Sequence, residues 1–322
     1  MDILFFIIGL VLILGGANFM TDGASSVAKR LGMSDFMVGL TVVSMMTSAP
    51  ELVVSLTGAF SGAAPMAVGN IVGSNIFNIL VIVGVVAMIK PVKVGEGVLL
   101  NEIPLVILSS LALLAIGCAP WLDGSFLEVT RVEGILLILF FLIFMRYTFS
   151  VAKTEKVADD PTSIQGEQTR RLPLWLSLIY LFGGLGALIW GGELFVDGAG
   201  GIAQSLGMSD SLVGLTIVAA GTSLPELAAS VAAAVKGYPG MCIGNVIGSC
   251  IFNIFFVLGV TSTIYPLEFG NIGLFDLLVL TGASILFWFF ARFGGLRTIK
   301  RGEGLVLFLF YVGYMIAICL QA

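Results

Sequence analysis

The amino-acid sequence predicts an all-α integral membrane protein with ten transmembrane helices arranged as two inverted five-helix repeats. Its 322 residues are 58% hydrophobic and only 11% charged, which is too apolar for an ordinary water-soluble domain. The apolar residues are gathered in runs that are long enough to cross a bilayer. A pattern of residues in the first half of the chain recurs in the second half. These three observations define the expected fold class.

The apolar runs mark the predicted helices, because a spanning helix needs about 20 apolar residues. No basic segment precedes the first run, so we expect it to be a membrane helix rather than a cleavable signal peptide. The polar stretch from Ser150 to Arg171 has the composition of a linker. We therefore expect a first repeat at 1–149, a cytoplasmic linker at 150–172 and a second repeat at 173–322. The approximate helix cores are residues 3–22, 36–59, 66–88, 97–117, 130–149, 173–196, 211–235, 241–264, 272–292 and 303–320.

The internal repeat has a constant offset, since Leu31 aligns with Leu206, 175 residues later. Gly39–Ser55 matches Gly214–Ser230 at 10 of 17 positions, and Gly69–Ile79 matches Gly244–Ile254 at 8 of 11. Each repeat contains five predicted spans, which is an odd number. The second repeat must therefore enter the membrane from the opposite side, and the repeats are inverted.

Basic residues predict the orientation, because Lys and Arg concentrate in short cytoplasmic loops. On the ten-helix plan, every basic residue except Arg131 lies on the same side as the central linker. We expect a multi-pass protein of the cell (plasma) membrane, with both termini outside and the linker in the cytoplasm. The lipid bilayer is the expected surrounding, and the oligomeric state is left open.

Several function classes are disfavoured by composition. The net charge of -5 is spread over short loops, so no nucleic-acid surface is expected. Histidine is absent, which removes the commonest transition-metal ligand and the usual general base. The four cysteines show no spacing typical of a disulfide framework or a zinc site. We expect no cofactor and no enzymatic activity.

Two acidic residues, Glu51 and Glu226, lie deep within predicted spans at equivalent positions of the repeats. A carboxylate at the bilayer centre costs several kcal/mol, so each of them predicts a functional site. Hydroxyl groups accompany both glutamates on the same helix face, because they precede each one by four and three residues. These hydroxyl residues are Thr47 and Ser48 before Glu51, and Thr222 and Ser223 before Glu226.

Pro50 and Pro225 lack the N–H group that a helix requires, so the carbonyls of Met46 and Gly221 lose their helical partners. We expect both helices to kink or unwind there and to free carbonyls as cation ligands. The next helix of each half carries a polar stripe with a spacing of four residues, which should face the glutamates. The stripes are Asn70, Ser74 and Asn78, and Asn245, Ser249 and Asn253. Gly73 and Gly248, directly before the serines, would permit close backbone approach.

These donors are all oxygen atoms, which suit hard cations. Two ionised carboxylates carry a charge of -2, which one Ca2+ ion neutralises, whereas Mg2+ demands a tighter octahedron and resists dehydration. Na+ would need to bind as several ions, because one monovalent charge leaves most of the repulsion between the glutamates. One Ca2+ ion and a set of Na+ ions would exclude each other from the two carboxylates, and this mutual exclusion predicts that the protein exchanges Ca2+ for Na+. For any single residue an alternative remains, since Ser and Thr often bond to their own backbone and Asn often joins helices.

The repeated motifs resemble those of the cation/Ca2+ exchanger superfamily, and specifically of its sodium/calcium exchanger branch of prokaryotic type. TSAPEL at Thr47–Leu52 and GTSLPEL at Gly221–Leu227 are similar to the first parts of the two family repeats. GNIVGSNIFN and GNVIGSCIFN are similar to the second parts. The resemblance implies alternating access, with the first and sixth helices sliding across a core of the other eight. It also implies electrogenic exchange of several Na+ for one Ca2+.

The resemblance further assigns the transported ions to particular residues. Glu51 and Glu226 would bind Ca2+ and also Na+, Asn78 and Asn253 would complete the central site, and Ser44 and Ala219 would offer backbone carbonyls. The Na+ sites would use Thr47, Ser48, Thr222, Ser223, Ser74 and Ser249. Two positions depart from the family pattern. Asn253 stands where potassium-dependent exchangers carry Asp, which argues against K+ co-transport, and Met46 stands where Gly is usual.

Three rival interpretations remain from the sequence. A Ca2+/H+ antiporter of the same superfamily could trade one divalent ion for protons at the glutamate pair. A cation channel could line its pore with the same oxygens, although channels more often assemble such rings from several subunits. An intramembrane enzyme is disfavoured, because no suitable base accompanies a nucleophilic Ser in the spans.

The first and sixth helices are rich in glycine, which predicts close-packing surfaces on both of them. These glycines include Gly15, Gly16, Gly23, Gly183, Gly184, Gly186, Gly191, Gly192 and Gly198.

Overall fold

The structure is a computed structural model that describes residues 1–62, 64–119, 127–154, 172–206, 219–270 and 272–321. Most of the predicted linker, and residues 211–218 of the predicted seventh helix, lie outside the described residues. The helices are α1 (Asp2–Leu31), α2 (Asp35–Phe60), α3 (Ala64–Ile89), α4 (Val98–Gly117), α5 (Arg131–Thr154), α6 (Leu174–Ser205), α7 (Leu224–Val235), α8 (Pro239–Ile264), α9 (Leu274–Phe293) and α10 (Arg301–Gln321).

This architecture confirms the predicted fold class of a helical membrane protein. Within the described residues, all of these helices except α7 are long and apolar enough to cross a membrane. The described part of α7 is shorter, and the helical turn Ala219–Gly221 precedes it. The most buried long helices are α3 and α8. Because they are apolar apart from their polar stripes, they can occupy the centre of the bundle.

Four short strands are a difference from the all-helical expectation. Val92–Lys93 (β1) pairs antiparallel with Thr298–Ile299 (β4), and Glu128–Val129 (β2) pairs antiparallel with Leu267–Glu268 (β3). Each strand has only two residues, which is too short to leave a pattern in the sequence. Both pairs join a loop of the first repeat to a loop of the second.

Several helices contain wider, π-helical turns that the sequence did not predict. One segment begins at Asn78 in α3 (Asn78–Ile82), and another includes Asn253 in α8 (Phe252–Leu258). The repeat offset makes these two segments equivalent. Others lie at Gly39–Val43 and Val98–Glu102. Such turns are frequent at functional sites, and two of them include asparagines that were nominated as ion ligands.

Helices α1 and α6 pack against each other through their glycines, as the sequence predicts. A Cβ atom added at Gly16 would lie 2.7 Å from the Gly184 carbonyl oxygen, and one added at Gly184 would lie 2.7 Å from the Gly16 carbonyl oxygen. The contact glycines recur every seven residues, which keeps them on one helix face. They are Gly9, Gly16 and Gly23 in α1, and Gly184, Gly191 and Gly198 in α6.

Other glycines do not take the predicted role. Added Cβ atoms at Gly15, Gly183 and Gly186 would meet no described atom within 4 Å. Gly9, which the sequence analysis did not single out, contributes to the contact instead. In the central helices, Gly248 lies against the Leu40 carbonyl and the Ser44 side chain, whereas Gly73 has no comparable neighbour among the described residues.

Candidate cation-binding site

Helix α2 is interrupted at Ser48, and α7 begins directly after the equivalent Ser223, as the prolines predict. Ser48 has φ -85° and ψ 5°, and Ser223 has φ -91° and ψ 4°. A new helical segment begins at the next residue in each case, with Pro50 and Pro225 in its first turn. Proline is favoured there because its missing N–H group has no helical partner to lose. The two breaks place Glu51 and Glu226 at the starts of these segments.

Both carboxylates are fully buried, with 0% exposure. The Ser48 hydroxyl of the first repeat donates to Oε1 of Glu226 in the second repeat, at 3.1 Å. The Thr47 side chain also approaches Glu226, and Ser74 lies beside Glu51. The site is therefore built across the interface between the two repeats.

A symmetric pair of hydrogen bonds holds the threonines in place. Thr47 Oγ1 donates to Asn245 Oδ1 at 3.2 Å, and Thr222 Oγ1 donates to Asn70 Oδ1, also at 3.2 Å. Each bond links one repeat to the other. A hydroxyl that donates its hydrogen in this way keeps its lone pairs, so these oxygens can still accept a cation.

Asn70 and Asn245 join helices through hydrogen bonds to the glutamate backbones. Asn70 Nδ2 donates to the Glu51 carbonyl at 3.3 Å, and Asn245 Nδ2 donates to the Glu226 carbonyl at 3.4 Å. The amide groups also contact Ser55 and Ser230, with Asn245 Nδ2 lying 2.9 Å from Ser230 Oγ. This helix-joining role is the alternative that the sequence left open.

The remaining polar atoms of the site are buried without hydrogen-bond partners among the described residues. Leaving a buried polar atom unpaired costs about 1–3 kcal/mol. A cluster of such atoms therefore indicates a ligand that satisfies them. The atoms are both carboxylate oxygens of Glu51, Oε2 of Glu226, the hydroxyls of Ser74, Ser223 and Ser249, both amide atoms of Asn78, and Oδ1 of Asn253.

The backbone ligand candidates occupy comparable places in the two repeats. Ser44 is buried, its carbonyl accepts a hydrogen bond from the Ser48 N–H at 2.9 Å, and the Thr47 hydroxyl oxygen lies 3.4 Å from it. Ala219 begins the helical turn before α7. Thr222 differs from its counterpart Thr47, because it is only half-buried and lines a cavity of about 390 Å³.

Sequence reasoning missed Ser55, Ser230 and Asn75. The two serines recur at the repeat offset, so the comparison of the repeats contained a signal for them. Asn75 aligns with Cys250 and left no such signal. Among the described residues, no group of three or more His, Cys, Asp or Glu side chains could hold a metal ion. The site therefore combines two carboxylates with neutral oxygens, a set that suits hard cations.

The helical membrane fold and this buried oxygen cluster define a membrane cation transporter. The sequence model of the family described as sodium/calcium exchanger protein matches residues 1–150 and 176–320. The chain belongs to this family, whose members are transporters and not enzymes.

Individual relatives cover most or nearly all of the chain. The sodium/calcium exchanger MaX1 of Methanosarcina acetivorans is 33% identical over 351 residues, which cover 98% of this chain and 98% of the relative. The inner membrane protein YrbG of Escherichia coli is 35% identical over 267 residues, covering 81% of this chain and 79% of the relative. A solved structure of the sodium-calcium exchanger NCX_Mj, soaked with Na+ and Ca2+, superposes with a TM-score of 0.81. It is 32% identical and covers 99% of this chain and 97% of that one.

Proposed function

We propose that this exchanger-type antiporter moves Ca2+ in one direction and Na+ in the other by alternating access, through one site between its two repeats. The observation that carries the proposal is the cluster of buried, unpaired oxygens around Glu51 and Glu226. Both repeats contribute to this cluster. A purely structural role for the glutamates would require well-formed hydrogen bonds to both oxygens of Glu51, and neither oxygen makes one among the described residues, although Ser74 lies beside them.

The charges of the site explain why the two ions exclude each other. Two carboxylates in a low-dielectric pocket repel strongly unless cations compensate their charge. One Ca2+ provides the full compensation, and Na+ provides it only when more than one ion binds. Ca2+ and the Na+ ions would share the same carboxylates, so they cannot be bound together. This exclusion makes the transport an exchange.

Each ligand has a proposed role. Glu51 and Glu226 bind both kinds of ion, and Asn78 and Asn253 complete the central Ca2+ site. Ser44 and Ala219 offer carbonyl oxygens. The Na+ positions use the hydroxyl oxygens of Thr47, Ser48, Ser74, Thr222, Ser223 and Ser249. The hydroxyls of both repeats support Na+ as the coupled ion, because protons would need the carboxylates alone.

We also propose that the repeats span residues 1–149 and 173–322, with both termini outside the cell membrane and the linker inside. Contacts between helix ends support one basic face. Arg30 binds the Leu172 carbonyl at 2.7 Å, and Arg301 binds the Ile89 carbonyl at 3.4 Å. Such a face is expected in the cytoplasm.

The coupling ion is tested in proteoliposomes that contain the purified protein and isotopic Ca2+. Efflux driven by an inward Na+ gradient at fixed pH is the expected result, with no stimulation when K+ replaces Na+. A pH gradient imposed without Na+ should not drive efflux. Efflux that responds only to the pH gradient would instead identify a Ca2+/H+ antiporter. Flux that needs no counter-ion at all would identify a channel.

A further inference from the structure

Asn75 lies in α3 between the proposed ligands Ser74 and Asn78, and it is fully buried. Its side chain contacts the second repeat twice. Nδ2 donates to the backbone carbonyl of Cys250 at 3.2 Å, and Oδ1 accepts from Nδ2 of Asn253, also at 3.2 Å. Asn75 therefore connects a proposed ligand of the second repeat to a fixed point of the backbone.

The chemistry of these two bonds fixes the orientation of both amides. A backbone carbonyl can only accept, so the Asn75 amide must turn its NH2 group to Cys250. Its oxygen then faces Asn253, which must present its own NH2 group in return. Only Oδ1 of Asn253 is left over, and this oxygen is buried with no hydrogen-bond partner among the described residues.

The first repeat has no equivalent arrangement. The repeat offset places Cys250 where the first repeat has Asn75, and a thiol cannot supply the amide oxygen that fixes Asn253. Consistent with this, Asn78 has a partner for neither of its amide atoms among the described residues. The two asparagines are equivalent in sequence, but only Asn253 is held in one orientation.

We infer that Asn75 is a positioning residue that commits Asn253 to offer its carbonyl oxygen, and never its NH2 group, to the transported cation. The inference rests on the proposed function, in which Asn253 is an ion ligand. An oriented oxygen binds a cation without first turning the amide, and groups that orient a ligand in this way strengthen ion affinity. Asn78 must adopt its binding orientation when the ion arrives.

The test measures the Ca2+ concentration for half-maximal exchange of isotopic Ca2+ between the two sides of proteoliposomes. Because Ca2+ is present on both sides, this measurement does not depend on the counter-ion. Asn75→Cys gives the first repeat the residue of the second, and it should raise the half-saturating Ca2+ concentration about fivefold, as expected for the loss of one hydrogen bond. The maximal rate per folded protein should change little. Cys250→Ala is the matched control, because it keeps the Cys250 carbonyl, and its half-saturating concentration should stay at the original value.

Measuring Asn75→Cys in a second parent protein, Asn253→Asp, separates the loss of the positioning role from general damage to the fold. In Asn253→Asp, both side-chain oxygens are ligands, so orientation no longer matters. The effect of Asn75→Cys on the half-saturating concentration should then disappear. An equal effect in both backgrounds, or a lower maximal rate with unchanged half-saturation, would overturn the inference. If the Asn75→Cys protein does not accumulate, Asn75→Ser is measured in the same way.

The inference and the proposed function fail separately. A chain that exchanges isotopic Ca2+ normally, but shows no Na+-driven efflux, contradicts only the choice of coupling ion. Unchanged half-saturation in Asn75→Cys, in a protein with intact Na+-driven exchange, contradicts only the positioning role.

Discussion

The two ends of the α1–α6 pair can be compared directly, because the repeat offset equates their residues. At one end, Lys236 after α7 forms an ion pair with Asp22 of α1 at 2.6 Å and donates to the Asn18 carbonyl at 2.8 Å. At the other end, the residues equivalent to Lys236 and Asp22 are Ser61 and Asp197. There, Asp197 lines a cavity of about 390 Å³ that also contacts α2 and α7.

Thr47 and Thr222, which are equivalent in the two repeats, also differ in burial. Thr47 is fully buried, whereas Thr222 is half-buried and lines the cavity together with Glu193 and Asp197. The Thr222 side of the site thus borders the cavity at the Asp197 end, whereas its Thr47 side is buried. Acidic groups at this cavity attract cations. Nearly symmetric repeats can thus have unequal ends, and Lys236 has no basic counterpart at Ser61.

The largest effect is expected from the residues that the two halves share. Glu51→Gln and Glu226→Gln each remove one of two buried charges, so either should reduce Ca2+ transport by about a hundredfold or more. Isotopic Ca2+ uptake by proteoliposomes measures this loss, and elution as a monodisperse peak shows that the variants fold. Glu268→Gln, at an exposed position of β3, is the control. Normal uptake by either variant would contradict the shared site.

A smaller effect is expected from changes to the glycine contact between α1 and α6, on which both ends of the pair depend. Gly16→Ala places a methyl group 2.7 Å from the Gly184 carbonyl oxygen, so α1 and α6 must separate. Overpacking of this kind costs about 1–3 kcal/mol. The midpoint of thermal unfolding should fall, and Ca2+ uptake should slow. Gly15→Ala is a matched control because its Cβ meets no described atom within 4 Å. Equal unfolding midpoints for the two variants would show that the glycine contact does not hold the pair.

The Asp22 end is tested by removing the ion pair between Lys236 and Asp22. Lys236→Gln should increase amide hydrogen exchange near Asp22 by up to about fivefold, because a partly exposed pair contributes about 1 kcal/mol at most. Mass spectrometry of peptides from α1 measures the change. Arg297→Gln is the control, since it removes the same charge from the more exposed pair with Glu96. Unchanged exchange in α1 after Lys236→Gln would mean that other contacts close this end.

The smallest effect is expected from placing a lysine at Ser61, the position at the Asp197 end that is equivalent to Lys236. Ser61→Lys places a basic group at the position equivalent to Lys236, where it can attract Asp197 when α6 approaches α2. Initial Ca2+ uptake should slow by about two- to threefold because the closed form of this end is stabilised. Ser61→Gln, which has a long neutral side chain, should not slow it. If Ser61→Lys keeps its effect after Asp197→Asn, the proposed pairing is wrong.

The sequence predicted the features that depend on local pattern. Apolar run length identified the helices, the repeat offset identified Glu51 and Glu226, and proline chemistry identified the breaks at Ser48 and Ser223. The features that it missed depend on partners far away in the chain. The bond between Thr47 and Asn245, and the ion pair of Lys236 with Asp22, join residues that no spacing rule connects. Asn75 was missed because its counterpart is a cysteine, so the comparison of the repeats passed over it.

The strand pairs β1–β4 and β2–β3 have a mechanical consequence. Each one ties the first half of the chain to the second, and none of the four strands belongs to a loop next to α1 or α6. The loops between α3 and α4 and between α9 and α10 are fastened together, as are those between α4 and α5 and between α8 and α9. The two halves are therefore linked at their loops as well as through the centre of the bundle. Neither pair restrains α1 or α6, the two helices that the proposed mechanism would move.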